Sequence, residues 1–149
     1  MEEIVDKLQQ LVGQELGVSE WMEITQERVN AFADATDDHQ WIHVDAERAA
    51  RSPFGGTIAH GFLTLSLVVP LAGQVSLEVG EPRMGVNYGL DRVRFPSPVP
   101  VGSRIRARVR LDAVEAVAGG IQVKRTVTME VDGSEKPAMV AETLTRYYY

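Results

Sequence analysis

An aspartate and a histidine lie five residues apart in the segment Thr36-Asp37-Asp38-His39-Gln40-Trp41-Ile42-His43. On one regular helix the offset from Asp38 to His43 places the two side chains about 140° apart, so only an irregular turn can bring them together. A carboxylate and an imidazole that meet on one water molecule can remove a proton from it, because an ordinary histidine titrates at about 6.5. The spacing therefore predicts a tight loop that performs acid/base chemistry on a carbonyl compound.

The pair His60-Gly61 opens the most apolar stretch of the chain, which extends from Phe62 to Val75. Backbone N–H groups in the first turn of a helix have no intrahelical acceptor and lie at the positive end of the helix dipole. Glycine at this position also lets a carbonyl oxygen approach closely. The Gly61 N–H is thus a candidate donor to an oxygen that gains negative charge during a reaction.

The elements before this stretch must position the loop. Residues 2–12 carry an apolar stripe typical of a helix, and residues 16–24 are predicted to form a short strand. Thr25 is a good N-cap for the next helix, which we expect to end near Asp37 and so to deliver the loop. Asp45 is expected to cap a further short helix through Arg51.

The apolar stretch predicts a buried central helix, because a helix that is apolar nearly all round is covered nearly all round. Pro70 cannot donate to the Ser66 carbonyl, so a kink or an end is expected near there. From Arg83 onward the pattern changes to strands: residues 104–111 alternate, and Gly119-Gly120 is typical of a hairpin turn. Helices followed by antiparallel strands predict an α+β fold, with one domain over residues 1–149 and the sheet packed on the central helix.

Composition narrows the possible functions. The 149 residues are 44% hydrophobic, carry a net charge of −6 and include no cysteine. The negative charge argues against nucleic-acid binding, and the missing cysteines exclude disulfides, thiolate catalysis and cysteine-based zinc sites. The acidic N-terminus does not have the pattern of a signal peptide, and the apolar stretch is too short to span a bilayer. These features predict a cytoplasmic protein without membrane insertion.

Three segments carry a resemblance to a known family: residues 38–45, Ile58-Ala59-His60-Gly61-Phe62, and residues 87–96. They resemble the MaoC-type (R)-specific enoyl-CoA hydratases, and most closely their short NodN-like branch. The resemblance covers roughly Glu15 to Tyr148. It implies a hot-dog fold, in which an antiparallel sheet wraps around a long central helix. It also implies a homodimer with acyl-CoA pockets at the subunit interface.

The resemblance further implies the roles of the site residues. Asp38 and His43 are the implied catalytic pair and share one water molecule, and the Gly61 N–H is the implied oxyanion donor. The implied reaction is hydration of a trans-2-enoyl-CoA to the (R)-3-hydroxyacyl-CoA, or the reverse dehydration. No metal or redox cofactor is expected, because the thioester substrate supplies the electron sink. Two departures from the family are Asp37, where glycine is usual, and Val69, near a position where some relatives have a water-holding serine.

Less specific interpretations remain open for several of these residues. Taken alone, Asp38 and His43 could form a pair that only stabilises the loop. His60 is expected to pack against or cap the helix, and His39 to face solvent or play a structural role. The three histidines beside Asp37 and Asp38 raise the possibility of a metal site, but their spacing fits no His-x-x-x-His ligand helix.

Two other functions are also compatible with the sequence. A hot-dog thioesterase would release free CoA thiol, and a non-catalytic acyl-CoA-binding module would bind ligand without turnover. Asp37 in place of glycine keeps the second alternative open. Arginines alternate along one predicted strand and form either a solvated face paired with acids or a contact for CoA phosphates. These residues are Arg104, Arg106, Arg108 and Arg110.

Overall fold

One antiparallel sheet and a set of short helices make up the fold. The computed structural model describes all residues from Met1 to Tyr149. The helices are α1 (Glu2–Gln9), α2 (Gln26–Thr36), α3 (Trp41–Val44), α4 (Ala46–Ala50), α5 (Gly61–Ser66) and α6 (Val68–Ala72). The strands are β1 (Glu15–Val18), β2 (Met22–Glu23), β3 (Met84–Arg94), β4 (Arg104–Val117), β5 (Gly120–Val131) and β6 (Met139–Tyr148). All helices precede β3, so the predicted α+β arrangement is confirmed.

The sheet has the strand order β1-β4-β5-β6-β3, and β2 pairs with the beginning of β4. Every pairing is antiparallel. The predicted hairpin turn joins β4 to β5, and Gly119 adopts a φ of 76° there, in the left-handed region that favours glycine. Residues 16–24 contain two strands rather than the one predicted. Ser19 separates them, and its hydroxyl accepts the Ala107 N–H at 2.9 Å in place of a backbone carbonyl.

The inner face of the sheet packs on α5 and α6. Alternate residues of β4 and β5, including Val109 and Val127, are buried. They belong to the same cluster of 18 buried residues as Leu63, Leu67 and Leu71 of the helical segment. Burial of one such side chain contributes about 1.5–3 kcal/mol, so the helices and the sheet stabilise each other.

The central helical segment is interrupted at Leu67, which separates α5 from α6. Pro70 has no N–H to donate to the Ser66 carbonyl, which accounts for the break that the sequence predicts in this region. The sequence predicts that this helical segment is buried on all sides. Within one chain this is not the case, because Phe62 is 70% and Val69 61% exposed. None of the helices has the length and apolar character needed to cross a membrane.

β3 forms one edge of the sheet and leaves apolar side chains uncovered. It pairs with β6 on one side, and no strand pairs with its other side. Leu90 of β3 and Val69 of α6 line the same cavity, so the exposed edge and the exposed helix face adjoin. The exposed large hydrophobic residues of β3 are Met84, Val86, Tyr88 and Leu90.

Candidate active site

Helix α2 ends at a left-handed residue that turns the chain into the loop. Thr25 caps the helix as predicted, because its hydroxyl accepts the Arg28 N–H at 3.1 Å. The helix ends at Thr36, and Asp37 adopts a φ of 58° and a ψ of 23°. This region favours glycine, and aspartate enters it more readily than most other residues. The glycine usual in the resembling family therefore matches a backbone requirement, which Asp37 also satisfies.

His43 lies on α3 and is 6% exposed. Its Nδ1 lies 2.7 Å from the Ile58 carbonyl oxygen, which can only accept, so Nδ1 carries the proton. Nε2 keeps a free lone pair. Burial is the largest influence and lowers the pKa of His43 below its ordinary value of 6.5, although the Ile58 hydrogen bond and the Asp38 charge oppose it. The ring is consequently a neutral base at pH 7.

The main chain around His43 is held by α2 and by the segment that leads into α5. The Gln26 side-chain amide donates to the His43 carbonyl at 2.8 Å, and the Thr57 hydroxyl donates to Gln26 Oε1 at 2.6 Å. The Ile58 N–H donates to the Ile42 carbonyl at 3.0 Å. These bonds fix α3 against the start of α5. Sequence analysis did not identify Gln26 or Thr57 as members of this arrangement.

His60 immediately precedes α5 and is buried. Its Nε2 donates to the main-chain carbonyl of Asp38 at 3.0 Å, and its ring stacks on His43 with centroids 3.8 Å apart. Phe32 of α2 packs on the same ring at a centroid distance of 4.9 Å. The packing expected of His60 is confirmed, whereas its side chain makes no helix cap. The hydrogen bond from His60 to the Asp38 carbonyl also links the main chain of the loop to the start of α5.

The loop brings the predicted pair together. A carboxylate oxygen of Asp38, a ring nitrogen of His43 and a ring nitrogen of His60 all lie within 4.8 Å of one another. The Asp38 side chain is 52% exposed, and one of its oxygens lies 4.0 Å from His60 Nε2. The Asp38 carboxylate accepts a long hydrogen bond of 3.4 Å from the Gln40 N–H. One water molecule can bridge two polar atoms that lie within 4.8 Å of one another, as these atoms of Asp38 and His43 do.

The same three side chains form a cluster of potential metal ligands. The rings of His43 and His60 are stacked and inclined by only 22°. Imidazole lone pairs lie in the plane of the ring, and zinc lies about 2.0–2.1 Å from a ligating nitrogen. Two nearly parallel stacked planes share no point at that distance from both rings. The arrangement therefore fits hydrogen bonding to a substrate or water better than metal coordination.

A cavity of about 380 Å³ opens beside His43 and the start of α5. Gly61 is the first residue of α5, so its N–H has no intrahelical acceptor. A β-carbon at Gly61 would lie 3.3 Å from the Phe95 ring, and the absence of one keeps this end of the helix accessible. His43 and Gly61 both line the cavity, whereas Asp38 does not.

The outer arginines of β4 are paired with acids, which is one of the two interpretations left open by the sequence. Their guanidinium groups form ion pairs on the face of the sheet that points away from the helices, and none of them lines either cavity. The pairs are Arg104 with Asp132, Arg106 and Arg108 with Glu130, Arg108 with Glu15, and Arg110 with Asp112. His39 is exposed and lies 2.9 Å from Asp34.

A larger cavity of about 750 Å³ lies between α5–α6 and the inner face of β3 and β6. Arg125 of β5 lines it, and sequence analysis missed this residue. The signal was present in the alternation of apolar residues along β5, which is broken only at position 125. The buried apolar residues of that face are Ile121, Val123, Val127, Met129 and Val131.

Comparisons with known proteins show the family and the fold of this chain. The profile of the family described as "MaoC like domain" matches residues 7–133. The chain is 55% identical over 146 residues to 3-hydroxyacyl-thioester dehydratase Z of Mycobacterium tuberculosis H37Rv, covering 97% of this chain and 96% of the relative. It is 51% identical over 136 residues to nodulation protein N of Rhizobium leguminosarum bv. viciae, covering 90% of this chain and 84% of the relative. The solved (R)-hydratase from A. caviae involved in PHA biosynthesis is 27% identical, with a TM-score of 0.73 and coverage of 90% and 94%.

Proposed function

The chain belongs to the MaoC-like domain family and has its hot-dog fold, and we propose that it adds water reversibly to a trans-2-enoyl-CoA to give the (R)-3-hydroxyacyl-CoA. The general class, a hydratase or dehydratase, follows from the family and its relatives. The carrier, the stereochemistry and the roles of individual residues belong to the proposal. The observation that supports it most strongly is the convergence of Asp38 and His43 within 4.8 Å.

In this proposal His43 acts as the base. The Ile58 carbonyl holds Nδ1–H, so the Nε2 lone pair takes a proton from water while the water oxygen bonds to the β-carbon of the substrate. The π electrons of the carbon–carbon double bond shift towards the thioester and give an enolate. The dyad then returns a proton to the α-carbon, so that one water molecule has been added. Asp38 holds the attacking water and stabilises the imidazolium that forms on His43.

The Gly61 N–H donates to the thioester oxygen while that oxygen carries the enolate charge. The first-turn N–H groups of α5 lie at the positive end of the helix dipole, which favours this charge. Loss of one such donor typically costs about 2.7–4 kcal/mol of transition-state stabilisation. The thioester delocalises the charge by itself, so the proposed reaction involves no metal or redox cofactor.

A second copy of the chain covers the exposed apolar surface in this proposal. β3 has an open edge along its 11 residues, and an unpaired edge strand with apolar side chains readily pairs with another strand. Antiparallel pairing of β3 with its counterpart would cover this edge. Sedimentation equilibrium is expected to give the mass of a homodimer, and a monomer at micromolar concentration would contradict this part.

The assay that tests the function follows the ultraviolet absorbance of crotonyl-CoA. Hydration removes the conjugated double bond, so the absorbance falls, and chiral chromatography of the product is expected to give the (R)-3-hydroxy isomer. The His43→Gln variant serves as the matched control for contaminating hydratases. Unchanged absorbance with crotonyl-CoA and with longer enoyl-CoA substrates would overturn the proposal.

The same protein and substrates distinguish hydration from the two alternative functions, a thioesterase and a non-catalytic acyl-CoA-binding module. A thioesterase would release CoA thiol, which a thiol reagent detects and which hydration does not produce. A binding module would give a calorimetric signal with acyl-CoA and no change in absorbance. The cytoplasmic location remains a prediction, which fractionation of cells tests.

A further inference from the structure

Arg125 points into the interior of the fold from an otherwise apolar face of β5. Val123 and Val127, its neighbours on that face, are fully buried. Its partner on β4 is the buried Leu111, and its partner on β6 is the buried Thr143. Because cross-strand partners point to the same side of a sheet, the Arg125 side chain enters the interior. It lies between the two clusters of the hydrophobic core, one with Val127 and the other with Val123 and Leu111.

The guanidinium group of Arg125 has no anionic partner within the chain. Its Nη2 makes one long contact of 3.3 Å with the Thr145 hydroxyl, and its Nε is buried without a hydrogen-bond partner. Glu78 lies at the same cavity but is exposed and forms no ion pair with Arg125. Arg125 is half-buried at the cavity wall, and a guanidinium with an enclosed, unused donor there is suited to an anionic acceptor from outside the chain.

The cavity beside Arg125 suits a chain that is apolar along its length and anionic at its end. Leu65, Val68 and Val69 provide its apolar helical wall. On the strand side the Thr145 hydroxyl lies 3.3 Å from the guanidinium, and the Thr143 hydroxyl donates to the Arg125 carbonyl. A planar guanidinium binds a carboxylate through two parallel hydrogen bonds, and it matches that group better than it matches a neutral one.

Helix α5 connects this cavity to the candidate active site. Gly61 and Thr64 line the smaller cavity beside His43, and Leu65 and Val69 line the larger one. Gly61 and Leu65, both on α5, lie roughly 6 Å apart along the helical axis, at about 1.5 Å per residue. An acyl chain of medium length whose thioester oxygen contacts the Gly61 N–H is long enough to reach the residues of the second cavity.

We propose that Arg125 binds a carboxylate at the far end of the acyl chain, so that the preferred substrates are thioesters of unsaturated dicarboxylic acids. This inference rests on the proposed function and specifies its substrate class. The thioester end reacts at Asp38 and His43, and the free carboxylate is held in the second cavity by Arg125 with Thr145 beside it. Methyl-terminated chains leave the guanidinium without an anion and are therefore poorer substrates.

The test compares matched CoA thioesters with and without the terminal carboxylate: hexenoyl with hexenedioyl, octenoyl with octenedioyl, and decenoyl with decenedioyl. For the wild-type protein we expect kcat/KM to favour the dicarboxylic member at one or more lengths by at least about tenfold, the effect of one hydrogen bond between charged groups. Arg125→Met is expected to abolish this preference, and Arg125→Lys to reduce it. Arg106→Met removes an arginine paired with Glu130 on the outer face and is expected to leave the preference unchanged.

The outcomes separate this inference from the proposed function. Hydration of both members of each pair at equal kcat/KM overturns the inference and leaves the hydratase activity in place. A preference that survives in Arg125→Met also overturns it. Absence of hydration with every substrate overturns the proposed function itself. If Arg125→Met fails to fold, as judged by circular dichroism, the wild-type comparison and Arg125→Lys still decide the matter.

Discussion

The imidazole rings of His43 and His60 stack with their centroids 3.8 Å apart and their planes inclined by 22°. Each ring also donates to a main-chain carbonyl, His43 to Ile58 and His60 to Asp38. His60 thus fixes the orientation of the His43 ring through the stack. Its hydrogen bond to the Asp38 carbonyl also fixes the main chain at Asp38. The stack is therefore the element that sets the distance between the two members of the dyad.

Replacement of His60 by phenylalanine tests this positioning role. The ring and its stacking are kept, but the hydrogen bond to the Asp38 carbonyl is lost, so we expect kcat to fall by up to about 10²-fold, the cost of misplacing a catalytic group by roughly 1 Å. KM is expected to change little. The contribution of His60 to the lowered pKa of His43 is also removed, so the acid limb of the pH profile is expected to move to higher pH.

The matched control is His39→Gln, which alters an exposed histidine whose ring contacts only Asp34. It is expected to keep both the rate and the pH profile. A purely structural role of His60 would lower the melting temperature of His60→Phe without moving the pH profile of the folded fraction, and this result would contradict the positioning role.

The pH dependence of kcat/KM tests the state of His43. Burial lowers the pKa of this ring below 6.5, and only the neutral ring can accept a proton from water. The rate is therefore expected to be level near pH 7 and to fall only as the pH drops below 6.5 through the lowered pKa. A limb centred above 6.5 would mean that the charged ring is favoured and would exclude His43 as a buried base.

Gly61→Pro tests the oxyanion donor, because proline removes the N–H and is tolerated at the first position of a helix. The preceding residue, His60, has a φ of −62° and a ψ of 138°, which is compatible with a following proline. We expect a fall in kcat of about 10²–10³ with the fold intact by circular dichroism. Gly61→Ala keeps the N–H and adds a methyl group 3.3 Å from the Phe95 ring.

The comparison of the two Gly61 variants distinguishes the donor from the space around it. If the N–H matters most, the proline variant is much slower than the alanine variant. Equal losses would assign the effect to crowding against Phe95 and would remove the Gly61 N–H from the mechanism.

Asp37→Gly tests whether this departure from the family pattern affects the chemistry. The side chain is exposed and its backbone is left-handed, so glycine fits the same turn. We expect kcat to stay within about twofold, as is usual for surface substitutions. Asp37→Val places a β-branched residue at a φ of 58° and is expected to destabilise the fold by about 1–2 kcal/mol in urea unfolding. A large change in kcat for Asp37→Gly would instead give the Asp37 carboxylate a part in the reaction.

The features that the sequence predicted correctly depend on neighbouring residues. Thr25 and Asp45 cap their helices through bonds to N–H groups three residues later, Arg28 and Arg48. The alternation along β4 and the glycine turn that follows are equally local. Gly61 lies at the helix start, where the beginning of the apolar stretch predicts it.

The features that the sequence did not predict depend on contacts between distant segments. His60 reaches a carbonyl 22 residues away, and Thr57 reaches Gln26 across 31 residues. No local pattern fixes such pairings, because they depend on how α2 packs on the segment before α5. Arg125 differs from these residues, because the sequence alone shows that it interrupts the apolar alternation of β5. Only the finished fold shows that this face of the strand meets a cavity and not solvent.

The most direct test of the central claim measures kcat for Asp38→Asn, His43→Gln and the double variant with one enoyl-CoA substrate. In the proposed mechanism both side chains act on the same water molecule, so each single variant is expected to lose about 10²–10⁴ in rate. The double variant is expected to be no slower than the slower single variant, because residues that act as a unit are not additive. A wild-type rate in either single variant, or losses that multiply in the double variant, would contradict the shared-water dyad.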